Sequence, residues 1–234
     1  MADQQSKKAG FYLLFLSLAL TTISGLFAVQ AHFDYLRHSQ SFLDLHEQAN
    51  ARQTQAQFHR ARGGVSSMAM IEEAAREAPP KDLGGKRLAL SIALTQNSTG
   101  FEDNFIDKAQ KNASDDELNR FRNTFLTQLF EAAPSSLRRQ EVIQMHMDVL
   151  LNELRHAARL LSEAQSLNEQ AAHERVLADK ASLQSQLCWK ALILLLLSSV
   201  LSLALIHYRK PWLVFISGAL VLYGAVLMVR ALLL

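Results

Sequence analysis

Residues 136–208 read SLRRQEVIQMHMDVLLNELRHAARLLSEAQSLNEQAAHERVLADKASLQSQLCWKALILLLLSSVLSLALIHY, a run of 73 residues with neither Gly nor Pro. Its first two thirds carry Ile143, Met147, Leu150, Leu154, Ala157, Leu161, Ala164 and Ala171 at alternating steps of four and three, with one polar gap at Asn168. That spacing places apolar side chains along one stripe of a helix, the seam of a coiled coil or bundle. Its last third, Ala191–Ile206, is almost wholly apolar and has no charge. Nothing interrupts the passage from one to the other, so the sequence predicts a single helix that begins as a rod and ends as a membrane span. At about 1.5 Å per residue the rod alone, 136–187, is roughly 80 Å long. A rod of that length with one exposed apolar stripe must pack against something.

Outward from this stretch, two further segments are apolar and uncharged, Phe11–Val29 and Trp212–Val229. Each approaches the ~17–25 residues that cross a ~30 Å hydrocarbon layer, which argues strongly against a wholly soluble protein. Lys7 and Lys8 precede the first, and His207-Tyr208-Arg209-Lys210-Pro211 joins the second and third. Putting both basic stretches in the cytoplasm obeys the positive-inside rule, although Lys190 and Arg230 then face outward. The expected organisation is therefore a cytoplasmic tail at 1–10, a first span at 11–30 and an extracytoplasmic helical bundle at 31–187. A second span at 188–207, a short basic loop at 208–211 and a third span at 212–230 complete it. The first apolar run is longer than the ~7–15 residues of a cleaved signal, so it reads as an uncleaved signal anchor in a bacterial inner membrane. The fold class is all-α: three transmembrane helices with a long helical-bundle or coiled-coil domain between the first two.

The region 31–187 reads helical throughout. Ala31–Arg62 has no Pro or Gly and continues the first span as a second rod, with Phe33, Leu36, Leu43, Ala49 and Ala56 as its loose apolar row. Gly63-Gly64 is the first expected break. Val65, Met68, Ile71, Ala74 and Ala75 form a short stripe that ends at Pro79-Pro80, and Asp82–Gly85 reads as a turn. Leu88, Leu90, Ile92 and Leu94 alternate like a strand, but no second strand segment exists to pair with them, so helix is expected there. Two capping boxes follow. Thr99-Gly100-Phe101-Glu102 predicts one helix start and Ser114-Asp115-Asp116-Glu117 another, each pairing a hydroxyl with a glutamate three residues on. Pro134 closes the second of these helices.

Charge is segregated. Residues 31–187 hold 18 basic and 21 acidic side chains, whereas the remainder holds 6 basic and 1 acidic. The slight basicity of the whole chain thus lies beside the membrane and does not make the clustered basic face that nucleic acid requires, so no nucleic-acid partner is expected. A single cysteine, Cys188, excludes an internal disulfide framework and reads as a small buried residue.

Local signatures of chemistry are sparse. Glu153-Leu-Arg-His156 sets a carboxylate and an imidazole on one helix face; di-iron bundles use that pair twice, and it occurs once here. No two histidines stand four apart, and neither phosphate-binding glycine loops nor nucleophile or zinc motifs occur. No catalytic residue, metal or cofactor is expected. The candidate docking residues are Phe101, Phe105, Phe121, Phe125 and Phe130, a dense aromatic set whose simpler reading is the core of the bundle. The candidate helix-packing residues are Ser17, Thr21 and Gly25 in span one, Ser198 and Ser202 in span two, and Ser217 and Gly224 in span three, where small side chains let helices approach. The layout of a helical domain strung between two spans resembles the sensor half of bacterial chemoreceptors, although a third span follows the second here. A coiled coil feeding a two-span hairpin also resembles mitochondrial calcium uniporters, whose acidic pore motif is replaced here by a basic loop. The expected function is that of a non-enzymatic membrane scaffold or sensor binding a partner or small ligand outside the cytoplasm, as a homo-oligomer or beside another membrane protein. The alternative is an oligomeric channel or an accessory subunit of a transport or secretion complex.

Overall fold

A computed structural model describes residues 2–76, 85–111, 113–132, 137–208, 210 and 212–234. Those residues form five helices: α1 (Ala2–Ala75), α2 (Gly85–Gln110), α3 (Asp115–Ala132), α4 (Leu137–Tyr208) and α5 (Trp212–Leu232). Among the described residues there is no strand, and the 88–94 segment is helical within α2. Helix α4 runs unbroken for 72 residues. Helices α1, α4 and α5 are each long and apolar enough to cross a membrane. Pro79-Pro80, Asp82 and Pro134 lie outside the described residues.

Two local expectations change. Helix α1 passes through Gly63-Gly64 without interruption. A helical glycine costs about 1 kcal/mol relative to alanine, but Gly63 is buried and a Cβ there would lie 3.1 Å from Leu150 Cδ1. The glycine is where α4 comes close, and that contact offsets its poor propensity. The Thr99 box does not start a helix either: α2 begins fourteen residues earlier, at Gly85, and Thr99 Oγ1 instead donates to Thr95 O at 3.0 Å within it. The Ser114 box does form. Glu117 N donates to Ser114 Oγ at 3.3 Å and Ser114 N to Glu117 Oε2 at 3.1 Å. Asp115, Asp116 and Glu117 crowd the first turn of α3, where they complement the helix dipole.

The chain divides into two compact units. One comprises residues 45–169. Its core draws Met70, Ile71 and Ala74 from α1, Leu94, Phe101, Phe105 and Ile106 from α2, Leu118, Phe125, Leu126 and Leu129 from α3, and Ile143, Met147, Leu150, Leu151 and Leu154 from α4. Burial follows a seven-residue step on both long helices: Ala49, Ala56, Gly63 and Met70 on α1, and Ile143, Leu150, Ala157 and Ala164 on α4. Met147, Leu150 and Leu154 are wholly buried, each stabilising the unit by roughly 1.5–3 kcal/mol. The apolar row expected on α1 is displaced: Val65 and Met68 are 69% and 70% exposed, and the buried face is Gly63, Ser67, Met70, Ile71 and Ala74.

The other unit comprises residues 1–44 and 170–234. Here α1 and α4 run antiparallel, and α5 folds back on α4. The step of seven recurs in Gly10, Ser17, Ser24 and Ala31 of α1 and in Ala171, Ala178 and Ser185 of α4, all buried. Phe33, Leu36 and Leu43 are exposed. Leu213 N donates to Lys210 O at 3.1 Å as α5 begins.

Candidate functional site

Among the described residues, the two carboxylates that the fold buries, Glu102 and Glu153, lie in the 45–169 unit against one stretch of α1. From α2, Glu102 is buried on the helix face that also carries Leu94, Ser98, Phe101 and Phe105. Its partners are hydroxyls. Ser98 Oγ donates to Glu102 Oε1 at 3.5 Å, Ser67 of α1 also hydrogen-bonds the carboxylate, and Ser67 and Ser98 hydrogen-bond each other. Arg60, whose charge acts on Glu102, is itself paired with Asp103. Burial therefore dominates and pushes the Glu102 carboxyl above the usual range, with Ser67, Arg60 and Ser98 opposing and Asp103 adding to the rise.

A second buried acid, Glu153 of α4, is held differently. His59 Nδ1 of α1 lies 2.6 Å from Glu153 Oε2, and Arg62 Nη2 lies 3.6 Å from Glu153 Oε1. His156, one turn along α4, stacks on His59 with ring centroids 5.4 Å apart. Glu153 and His156, the pair singled out by spacing, thus act as one cross-helix polar cluster with α1. In the other unit, His38 Nδ1 lies 2.7 Å from Glu174 Oε2. The two histidines are 21 residues apart in the chain, and so are the two glutamates. The same α1–α4 pairing is thus repeated after three steps of seven. Among the described residues, no three His, Cys, Asp or Glu side chains converge as a metal ion would need.

The candidate docking aromatics lie in the core. Phe101, Phe105 and Phe125 are buried, and Phe121 and Phe130 pack against the same core with only part of their surface exposed. Phe101 stacks on Phe121 at 4.9 Å and meets Phe125 at 4.4 Å. Little of this set is left for a partner to touch.

The small residues of the apolar segments lie at helix contacts. Ser17 Oγ is 2.8 Å from Ser199 Oγ across α1 and α4, and Ser24 Oγ donates to Cys188 O at 2.8 Å. Thr21 hydrogen-bonds its own helix at Ser17 O. Gly25 is only partly buried, and a Cβ there would lie 3.3 Å from Leu192. Ser198, Ser202 and Ser217 form one buried cluster between α4 and α5, with Oγ–Oγ distances of 2.8 and 2.7 Å from Ser217. A Cβ on Gly224 would come within 2.9 Å of Leu195 Cγ. Steps of four had picked out Ser17, Thr21 and Gly25, whereas the buried row steps by seven through Gly10, Ser17 and Ser24.

Sequence reasoning missed the inward role of Glu102, which it read only as a capping residue. The signal was there: Leu94, Ser98, Phe101, Glu102 and Phe105 share one helix face at steps of three and four.

Comparison with protein-family models, with curated proteins and with solved structures finds no match to this chain.

Glu102 gives a direct expectation. Its folded-state pKa is raised, so its contribution to stability is fully present below the unfolded value and is lost as pH rises through the folded value. Glu102→Gln should therefore raise stability at neutral pH and flatten its fall between mildly acid and neutral pH. Amide hydrogen exchange in α2, followed against pH, checks this. An unchanged pH profile in the variant would show that Glu102 does not titrate against folding.

Proposed function

We propose that this chain is a non-enzymatic, three-span membrane protein in which residues 31–187 form a helical, coiled-coil-like bundle outside the cytoplasm and serve as a scaffold or sensor for a partner. The observation that carries the reading is the continuity of α4: one helix supplies both a buried seam, from Ile143 to Ala164, and an apolar segment fit to span a membrane. The seven-residue periodicity of burial on α1 and α4 supports a left-handed coiled-coil pairing. The repeat of His–Glu pairs at the same interval supports a fixed register between the two helices.

Support for a partner comes from large apolar residues that the fold leaves on the surface, Val65 and Met68 of the expected stripe among them. Phe58, Val65 and Met68 stand 61%, 69% and 70% exposed on α1, at steps of seven and three, and so lie along one face. Outside a membrane such a stripe is a site for another helix, from a second copy or from a partner protein.

A continuous helix transmits a displacement as a small slide or tilt, whereas a flexible link absorbs it. Inserting two Gly after Ser182 should leave the 45–169 unit folded and uncouple it from the spans. Distances between spin labels on the first and second apolar segments, with and without a perturbing substitution in α3, measure this. If the wild-type distances never respond, α4 is only a spacer and the scaffold reading replaces the sensor. The alternative, an oligomeric channel or accessory subunit of a transport complex, requires several copies of the α4–α5 hairpin in one assembly, so its oligomeric mass in detergent separates it from the first reading.

A further inference from the structure

Three helices of the unit formed by residues 1–44 and 170–234 line a cleft of about 170 Å³ at the ends of the apolar segments away from Tyr208 and Trp212. That is below the ~300–1,000 Å³ of a site for a drug-sized ligand, and suits a group of a few heavy atoms. Its apolar wall is Phe27, Ala31, Cys188, Ala231 and Leu232. Its polar rim is Asp34, Gln30 and Gln184, and none of these three side chains makes a hydrogen bond or ion pair among the described residues. The rim thus offers one carboxylate and two carboxamide oxygens. The neighbouring cations Arg37, Lys180, Lys190 and Arg230 do not line the cleft.

Depth and composition together select the occupant. Trp189 follows Cys188 and is half exposed, and tryptophan at the end of a span marks headgroup level. Phe27 and Leu232 remain exposed beside the cleft, presenting an apolar surface for acyl chains. A primary ammonium carries three N–H donors, which the three rim acceptors match, whereas a quaternary ammonium carries none. We propose that this cleft binds the primary-amine headgroup of a membrane lipid such as phosphatidylethanolamine, with Asp34 supplying the counter-charge. The site extends the membrane reading above and requires nothing of the 45–169 unit.

Cys188 is the only cysteine in the chain and is buried in the wall of the cleft, so a reagent that reaches its thiol through the cleft is slowed when the cleft is occupied. The full chain is reconstituted in vesicles of phosphatidylcholine, with or without an equal part of phosphatidylethanolamine, and the rate of Cys188 modification by a small cationic thiosulfonate is timed. Phosphatidylethanolamine should slow it about fivefold, the scale of one unit-charge contact near water. Asp34→Asn should abolish that protection; Asp34 is exposed, so the change leaves the fold intact. Native mass spectrometry gives an independent reading: the wild type should retain phosphatidylethanolamine in preference to phosphatidylcholine, and Asp34→Asn should not. Equal rates in both vesicles with no retained phosphatidylethanolamine would overturn the proposal, as would protection that survives Asp34→Asn. Protection by free ethanolamine but not by the lipid would overturn the lipid assignment in favour of a soluble amine.

Discussion

Phe105→Ala is expected to lower the stability of the 45–169 unit by about 3–5 kcal/mol, the cost of deleting a fully buried aromatic ring when its surroundings collapse only partly. Phe105 has no exposed surface and sits in the core shared by α1, α2, α3 and α4, with Phe101 5.9 Å away between ring centroids. Phe121→Ala should cost less, because Phe121 is only partly buried and its ring carries Lys108 at 5.8 Å on its outer side. Hydrogen exchange on the full chain in detergent reads both as lost protection in α2 and α3. If Phe105→Ala changed protection by less than about 0.5 kcal/mol, the ring would not belong to a core.

Gly63→Leu should be destabilising by roughly 1–3 kcal/mol or more. At this position a Cβ already falls 3.1 Å from Leu150 Cδ1 and 3.6 Å from Glu153 Cβ, and the rest of a leucine side chain would have to displace Leu150 or push α4 away. Gly63→Ala sets a small clash against a flexible methyl, offset by the ~1 kcal/mol gain in helix propensity, and should be close to neutral. Gly64 makes the control: nothing lies within 4 Å of a Cβ there, so Gly64→Ala should stabilise α1. Thermal unfolding of the three variants should therefore rank Gly64→Ala highest and Gly63→Leu lowest. Equal melting of Gly63→Leu and Gly64→Ala would mean that α1 and α4 do not meet at Gly63.

The long helices were legible because their evidence is repetitive. An uninterrupted run of helix formers ending in an uncharged apolar segment admits one local structure, and α4 spans Leu137–Tyr208 accordingly. The Ser114 box was legible because both of its bonds lie within four residues. What failed were signals whose sign depends on a neighbour far away in the chain. Gly63 reads as a break until Leu150 arrives beside it, and Thr99 reads as a cap unless the helix has already begun. Val65 and Met68 read as core because they are apolar, yet the inward face of α1 is made of Gly63, Ser67 and Met70. Small residues at steps of seven were harder to see than leucines at steps of three and four, although they mark the closest approaches. The polar cluster was half visible: Glu153 and His156 share a face by spacing alone, but His59 joins them only through the antiparallel return of α4.

The central proposal for the membrane is that residues 31–187 lie outside the cytoplasm while the basic segment 208–211 lies within it. In a Cys188→Ser background, single cysteines at Arg120 and Arg209 are labelled in intact cells with a reagent that does not cross the cytoplasmic membrane. The account predicts labelling of position 120 before permeabilisation of that membrane and of position 209 only after it; the reverse order would contradict it.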